Sequence, residues 1–225
     1  MSIEAGFPRS EASGLIENDV IKMKIGIDIR TLMDAQYSGV PEFTHSLLKE
    51  IFKIDRENSY LLFYNSFQKV NLPDFNFPNV KIIGKHYPNK VFNYLMQKAL
   101  GYPKVDEILG GVDLFFAPHI NFISLSEKCR KIITIHDLSY LRYPEFFSAR
   151  KNLWHRLINT RKLVKKFDTI IAVSENTKRD IIELCGVPEE KVKVIYSGVG
   201  EEYRKINYEL RITNDNEKKL NEVKK

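Results

Sequence analysis

The sequence has little cysteine and no long apolar run. Its 225 residues include 2 cysteines, Cys129 and Cys185, which lie too far apart for a CxxC pair. The sequence therefore predicts no disulfide framework, zinc site or thiol-redox motif. No apolar run approaches the ~20 residues of a membrane-spanning helix, and no P-loop or GxGxxG motif is present. These absences favour a protein of the reducing cytoplasm.

The N-terminal segment, residues 1–22, lacks the features of a signal peptide. It has no long apolar core, and it carries acidic residues at Glu4, Glu11, Glu17 and Asp19. We expect this segment to be a disordered extension, with Met23 opening the folded domain.

The charge balance is basic, with a formal net charge of +6 and a pI of about 9.1. This balance suits an anionic partner, such as nucleic acid, a membrane surface or a phosphorylated small molecule. A lysine-rich solvated surface explains it equally well. The basic residues are spread widely and no nucleic-acid-binding motif is present, so we predict no nucleic-acid partner.

Short apolar runs alternate with helical patterns along the chain. Helical spacing or flanking breakers predict helices over 40–54, 91–100, 149–167 and from Ser174 to Leu184. Continuous apolar runs predict strands buried on both faces, at 24–29, 60–64, 80–83, 113–117, 131–135, 169–173 and 192–195. This alternation predicts a doubly wound, mostly parallel, Rossmann-like α/β domain, in which ligands bind at the carboxyl ends of the strands.

The loop before the helix at 40–54 is a candidate phosphate site. Ser38 and Gly39 precede the helical pattern, where a glycine lets the backbone approach a phosphate and a helix N-terminus offers free N–H groups. The alternative, a glycine that serves only the turn, remains open.

Polar residues follow three other strands. Asp28 and Arg30 end the first strand, His119 and Asn121 follow the fourth, and His136 with Asp137 follows the fifth. A histidine can hydrogen-bond a phosphate or hydroxyl and carry a proton near neutral pH, although a role in the turn explains His136 almost as well. Because no third ligand has suitable spacing, we predict no metal site. We interpret Ser174 as a helix N-cap.

The predicted helix 149–167 has an apolar side and a basic stripe formed by Lys151, His155, Lys162 and Lys166. A basic amphipathic helix can lie against anionic lipid. We favour the simpler interpretation, a sheet-covering helix with a solvated basic face.

Several segments together resemble the N-terminal domain of family-4 (group 1) glycosyltransferases, over about residues 23–205. These segments are, in order, KIGIDIRTL, SGVPEFTHSLLKEI, DLFFAPHINF, KIITIHDLSYLRYPEFFS, DTIIAVSENTKRDII and KVKVIYSGVGEEY. The resemblance implies one half of a GT-B fold, retaining transfer from a nucleotide-sugar, and no cofactor. It also implies catalytic roles for His136 and Asp137, and contacts of Ser38 and Gly39 with the phosphates of the sugar donor. Arg30, His119 and Asn121 become candidates for acceptor contacts.

The chain departs from the family where the second domain is expected. In the family that domain holds most of the nucleotide, whereas residues 206–225 here form a charged tail or a truncated interdomain linker. We therefore expect the chain alone to be inactive. It is interpreted as a truncated gene product, an excised domain, or one half of a split enzyme whose C-terminal half is a separate chain. Acceptors are expected to be glycans or lipid-linked, with peripheral contact at the inner face of the membrane. The alternative is a non-catalytic remnant or binding module with the same fold.

Overall fold

The computed structural model describes residues 22–33 and 39–199. They form a seven-stranded sheet, in which every neighbouring pair is parallel and the order is β3-β2-β1-β4-β5-β6-β7. The strands are β1 Lys24–Asp28, β2 Ser59–Asn65, β3 Val80–Lys85, β4 Leu114–Ala117, β5 Arg130–Ile135, β6 Thr169–Ala172 and β7 Val192–Val194. All seven predicted strands are confirmed, and so is the doubly wound α/β class. Residues 206–225 and nearly all of the predicted extension lie outside the described residues.

The order of the sheet follows from its connections. Successive strands run outward from β1 to β3, and the chain then returns to pair β4 with the other side of β1. The direction of winding therefore reverses between β1 and β4, which is the switch point where open parallel sheets bind ligands. At Gly26 in β1, an added Cβ would lie 2.8 Å from Leu109 and 2.9 Å from Phe115, so a larger residue would not fit there.

Helices connect the strands. The α-helices are α1 Val40–Ile54, α2 Val105–Ile108, α3 Ser139–Arg142, α4 Ala149–Ile158, α5 Thr160–Val164 and α6 Glu175–Cys185. A π-helix spans Val91–Leu100 and ends at Gly101, which adopts φ 63°. Short 3-10 turns lie at Arg30–Met33, Pro144–Phe146 and Glu189–Lys191. Within the described residues, no helix is long and apolar enough to cross a membrane.

The predicted single helix over 149–167 was wrong, because the chain bends at Asn159. This residue adopts φ 55°, ends α4, and accepts a hydrogen bond from the Lys162 N–H to cap α5. Just beyond the bend, the Thr160 and Tyr140 hydroxyls pair at 2.8 Å. His155 does not belong to the exposed basic stripe either. It is half-buried, and its ring stacks on the Tyr140 ring with the two centroids 3.6 Å apart. Burial lowers its pKa.

Two hydrophobic clusters lie on opposite faces of the sheet. On one face the side chains of alternate strand residues meet the π-helix and α2–α6, around Phe92, Phe115, Ile133 and Ile170. On the other face α1 and the segment between β2 and β3 pack on the sheet, around Ile27, Phe52, Leu62 and Phe75. The first cluster extends over β4–β7, whereas the second cluster is centred on β1–β3.

Candidate functional site

The candidate site lies at the carboxyl edge of β1, β4 and β5. Asp28 is the last residue of β1, His119 follows β4 by two residues, and His136 follows β5 directly. Because β1 pairs with β4 and β4 with β5, the three strand ends are neighbours. The site therefore forms beside the switch point of the sheet.

Asp28 and Arg30 form a buried ion pair. Arg30 Nε donates to Asp28 Oδ1 at 2.9 Å and Arg30 Nη2 donates to Asp28 Oδ2 at 2.6 Å, with side chains 3% and 0% exposed. Desolvation by itself would raise the pKa of Asp28, but the charge and hydrogen bonds of Arg30 outweigh it, and the pKa lies below its ordinary value. The carboxylate is therefore ionised at neutral pH.

Arg30 is held from two further segments of the chain. Its Nη1 donates to Asn93 in the π-helix at 3.1 Å, and its Nη2 donates to the Phe122 carbonyl at 3.0 Å. Four of its five N–H groups thus have protein acceptors. The guanidinium also lies 5.6 Å from the ring centroid of Phe63 and 5.8 Å from that of Phe92. In this arrangement Arg30 joins β1, the π-helix and the loop after β4; its predicted acceptor contact stays a prediction.

His119 is a neutral imidazole with an unpaired nitrogen. Burial lowers its pKa to about 4, against the attraction of Asp28. Asn121 Oδ1 accepts from the Phe122 N–H at 2.8 Å, which turns the Asn121 amide nitrogen toward His119 Nε2 at 3.3 Å. Nε2 therefore accepts and Nδ1 carries the proton. Nδ1 is buried without a hydrogen-bond partner among the described residues, so this N–H is free for a water or ligand oxygen.

His136 is oriented by contacts with three segments. Its Nε2 donates to the Pro118 carbonyl at 2.9 Å, its ring meets Phe43 edge-on at 4.8 Å, and its own carbonyl accepts from the Thr177 hydroxyl at 3.2 Å. Burial lowers its pKa more than the Pro118 bond and Asp137 raise it. In the neutral ring Nε2 carries the proton, and Nδ1 is an acceptor.

Asp137 takes part in a local turn. It is exposed, and its Oδ1 accepts from the Ser139 N–H at 3.0 Å and from the Ser139 hydroxyl. These bonds hold the start of α3. The two predicted catalytic residues are therefore held in different ways. His136 is held by contacts with distant parts of the sequence, whereas Asp137 is held by a residue two positions away.

Gly39 begins α1 in a conformation that favours glycine. It has φ 59° and ψ −112°, and an added Cβ would meet no other described residue within 4 Å. The backbone thus requires glycine here for its torsion angles and not for close packing. Phe43, in the first turn, is the residue that touches His136, so the start of α1 lies beside the end of β5. Ser38 lies outside the described residues.

Ser174 caps α6, as predicted, because its hydroxyl accepts from the Thr177 N–H at 3.1 Å. Sequence reasoning missed Asn93, Phe122 and Thr177, which hold Arg30 and His136. Their contacts join residues 63, 92 and 41 positions apart, and no local pattern signals such pairs. Within the described ranges, no cluster of His, Cys, Asp or Glu could hold a metal ion.

Comparison with known proteins gives the class of this protein. The model of glycosyltransferase family 4 matches residues 72–203, which is more than half of the chain. The chain therefore belongs to glycosyltransferase family 4. A search of curated proteins found no significant match.

Two solved structures illustrate what the chain is similar to. The wall teichoic acid polymerase TagF is 12% identical with a TM-score of 0.44, over 78% of this chain and 38% of that chain. HepE from Anabaena, in complex with UDP and glucose, is 21% identical with a TM-score of 0.44, over 79% of this chain and 45% of that chain. The chain spans less than half the length of either protein.

Proposed function

We propose that this chain is the acceptor-side half of a retaining glycosyltransferase, which transfers a sugar from a nucleotide-sugar to a glycan or lipid-linked acceptor. The observation that carries the proposal is the meeting of His136 with the first turn of α1, through the 4.8 Å contact with Phe43. Both features lie beside the switch point of a parallel sheet, the usual ligand position in such folds.

The start of α1 supports a site for the diphosphate of the sugar donor. No side chain of the described residues caps this helix, and Pro41 has no N–H, so the N–H groups of Val40 and Glu42 remain at its positive end. The Glu42 carboxylate turns away and accepts from Ser46 at 2.8 Å. Beside Gly39, the described residues leave open space at this end. We assign the diphosphate to this end of α1, with Ser38 beside it.

The state of His136 supports a role in positioning over one in strong base catalysis. A neutral imidazole with a lowered pKa is a weak base, whereas its Nδ1 can accept a hydrogen bond from a sugar hydroxyl. In the proposed reaction the bond from the anomeric carbon to the diphosphate breaks, and a bond to the acceptor oxygen forms on the same face. The acceptor proton leaves with the diphosphate, whose charge the start of α1 stabilises.

The acceptor is assigned to the side of the site that holds His119 and Asn121. The buried N–H of His119 Nδ1 has no acceptor among the described residues, so it can donate to an acceptor hydroxyl. Arg30, with four N–H groups already bonded, supports this loop through the Phe122 carbonyl at 3.0 Å. Asp137 is exposed at the rim, where breaking its bonds to Ser139 would free it to accept from a sugar.

In the proposed enzyme, a second domain binds most of the nucleotide. The alternative, a binding module without catalysis, differs in one respect: no second domain restores transfer.

The surface around α4 supports peripheral contact with anionic lipid at the inner face of the cytoplasmic membrane. Phe146, in the 3-10 turn before α4, is 81% exposed, and Leu153 on α4 is 58% exposed. Arg150 and Lys151 on α4 and Lys162 on α5 are also exposed. Apolar side chains beside basic ones are suited to the lipid interface. Binding to vesicles that contain acidic lipid, with loss at high salt, is the expected result.

The test of the site is nucleotide binding. Titration of the chain with UDP and other nucleoside diphosphates, followed by backbone amide NMR, is expected to shift Gly39, Val40 and His136. Gly39→Ala should abolish these shifts. Gly198→Ala should not, because Gly198 has no positive φ and, in the part of the chain that the structure describes, has nothing within 4 Å of an added Cβ.

Two outcomes would count against the proposal. Shifts confined to residues away from the carboxyl edge would contradict the assigned site. Failure of every donor-domain chain to restore transfer or hydrolysis of a nucleotide-sugar would leave the binding module as the better explanation.

A further inference from the structure

Two exposed tyrosine rings rest on buried phenylalanines near the carboxyl edge of the sheet. Tyr87 is 38% exposed and Tyr94 is 40% exposed. The Tyr87 ring is parallel to that of Phe92, with centroids 5.7 Å apart, and the Tyr94 ring is tilted on that of Phe122, with centroids 4.9 Å apart. A single exposed tyrosine is ordinary on a protein surface. Here two rings are each supported by a buried ring and open to water, which suits them to a flat ligand.

A buried amide fixes the backbone of Tyr87. Asn65, the last residue of β2, is 2% exposed, and its Oδ1 accepts from the Tyr87 N–H at 3.1 Å. Its Nδ2 donates to the Tyr87 carbonyl at 3.0 Å and to Asn89 Oδ1 at 3.0 Å. The loop after β3 is thus ordered before any ligand arrives, so binding to this ring loses little conformational entropy.

The support of Tyr94 is connected to the buried ion pair of the candidate site. The preceding residue, Asn93, accepts from Arg30 Nη1 at 3.1 Å, and the Phe122 carbonyl accepts from Arg30 Nη2 at 3.0 Å. Phe92, which supports the other ring, lies with its centroid 5.8 Å from the Arg30 guanidinium. Arg30 therefore contacts the supports of both rings, and this gives it a structural role beside the site.

The π-helix Val91–Leu100 turns three successive residues to different tasks. Phe92 is fully buried, Asn93 is half-buried and bonds Arg30, and Tyr94 is exposed. Helices of this type are rare and are often found at functional sites. The helix therefore favours a role for its exposed ring in binding.

A polar donor lies close to the support of Tyr94. His119 Nδ1 is buried and has no hydrogen-bond partner within the described ranges. Asn121 contacts His119 Nε2 at 3.3 Å and accepts from the Phe122 N–H at 2.8 Å, so one short segment holds both the donor and the phenylalanine. A sugar has an apolar face of C–H groups and a rim of hydroxyls. An aromatic ring beside a fixed donor is complementary to both.

We propose that Tyr87 and Tyr94 form a subsite for a sugar of the acceptor. The apolar face of a pyranose ring packs on a tyrosine ring, and one of its hydroxyls accepts from the N–H of His119 Nδ1. This inference rests on the proposed function, because the bound sugar belongs to the acceptor of that reaction. It assigns recognition of the acceptor to a sugar ring and not to a lipid chain.

The experiment follows the tyrosine ring signals of the full chain by NMR. The probes are the methyl glycosides of glucose, galactose, mannose and N-acetylglucosamine, and we expect at least one of them to shift the signals of Tyr87 and Tyr94. Tyr87→Leu and Tyr94→Leu keep an apolar side chain but lose the flat face. Each is expected to weaken binding about three- to tenfold, whereas phenylalanine at either position should retain it.

Tyr102→Leu is the matched control. Tyr102 is 66% exposed and lies just beyond the end of the π-helix, so its substitution should leave sugar binding unchanged. Circular dichroism checks that each variant keeps the fold, which is expected because the substituted rings are exposed.

Several results would overturn the proposal. In the first, no probe shifts either ring, and in the second, the leucine variants bind as the parent chain does. In the third, the phenylalanine variants lose as much affinity as the leucine variants, which would assign binding to the hydroxyls. Shifts caused by phosphatidylglycerol vesicles, with none caused by the sugars, would assign the rings to a lipid surface.

Titration with UDP separates this inference from the proposed function. The shift of Gly39 reports on the donor end of the site and does not depend on the two tyrosines. A shifted Gly39 with unshifted tyrosines would overturn the sugar subsite alone. An unshifted Gly39 with shifted tyrosines would overturn the assigned donor site and support the sugar subsite.

Discussion

Two arginines in this molecule make nearly the same contacts in opposite surroundings. Arg30 Nη2 lies 2.6 Å from Asp28, with the two side chains 3% and 0% exposed. Arg142 Nη2 lies 2.5 Å from Asp180 and 2.7 Å from Glu183, with side chains 35%, 22% and 59% exposed. The distances do not distinguish the pairs. Burial distinguishes them, because water cannot solvate a buried charge that loses its partner.

The largest effect is expected from Arg30→Met. This change leaves the Asp28 carboxylate buried and unpaired, which costs about 3–5 kcal/mol of the free energy of unfolding. Urea denaturation followed by circular dichroism measures the loss.

The double variant Asp28→Asn/Arg30→Met is the control, because it removes both charges. We expect it to be more stable than Arg30→Met alone. If the double variant were less stable by the sum of the two single losses, the pair would not be coupled and the comparison with Arg142 would fail.

A smaller effect is expected from acid, through His119 beside the ion pair. Its pKa is about 4 in the folded chain and 6.5 unfolded, so between these values the unfolded state binds more protons. Its contribution is complete above pH 6.5 and is lost as the pH falls toward 4, by about 1.4 kcal/mol per pH unit. Urea denaturation at several pH values is expected to show this slope.

His119→Asn should reduce the slope of stability against pH in this window, because asparagine does not titrate. The remaining slope would come from other groups, including His136 and His155, whose pKa values are also lowered by burial. An unchanged slope in His119→Asn would show that His119 does not titrate as assigned.

The smallest effect is expected from Arg142→Ala. The pair is open to solvent, so water and salt replace the lost contacts, and we expect no measurable change in the urea midpoint. A loss comparable with that of Arg30→Met would contradict the argument that burial, and not distance, decides the value of an ion pair.

The sequence predicted the scaffold better than the site. The apolar runs identified every strand, because a parallel sheet buried on both faces leaves that pattern in each strand. The strand ends were predicted as well, since they follow from the same runs. The ion-pair network was not predicted. Asn93 and Phe122 contact Arg30 from positions 63 and 92 residues away in the sequence, and only the folded chain brings them together.

The break in the predicted helix 149–167 was missed for a related reason. Apolar spacing continues through Asn159, and nothing in the local pattern stops the helix there. The bend is secured by the Tyr140–Thr160 hydroxyl pair at 2.8 Å, a contact with an earlier helix. The role of Ser174 could be predicted because a cap involves only its near neighbours.

The bend at Asn159 also changes how the basic side chains are distributed over the surface. A straight helix would align its lysines and arginines in one track, whereas here Arg150 and Lys151 lie on α4 and Arg161 and Lys162 on α5, with separate axes. The positive charge is spread over an area. Attraction to a negatively charged surface then sums over many separated charges, so it tolerates the loss of any one residue and fades gradually as charges are removed.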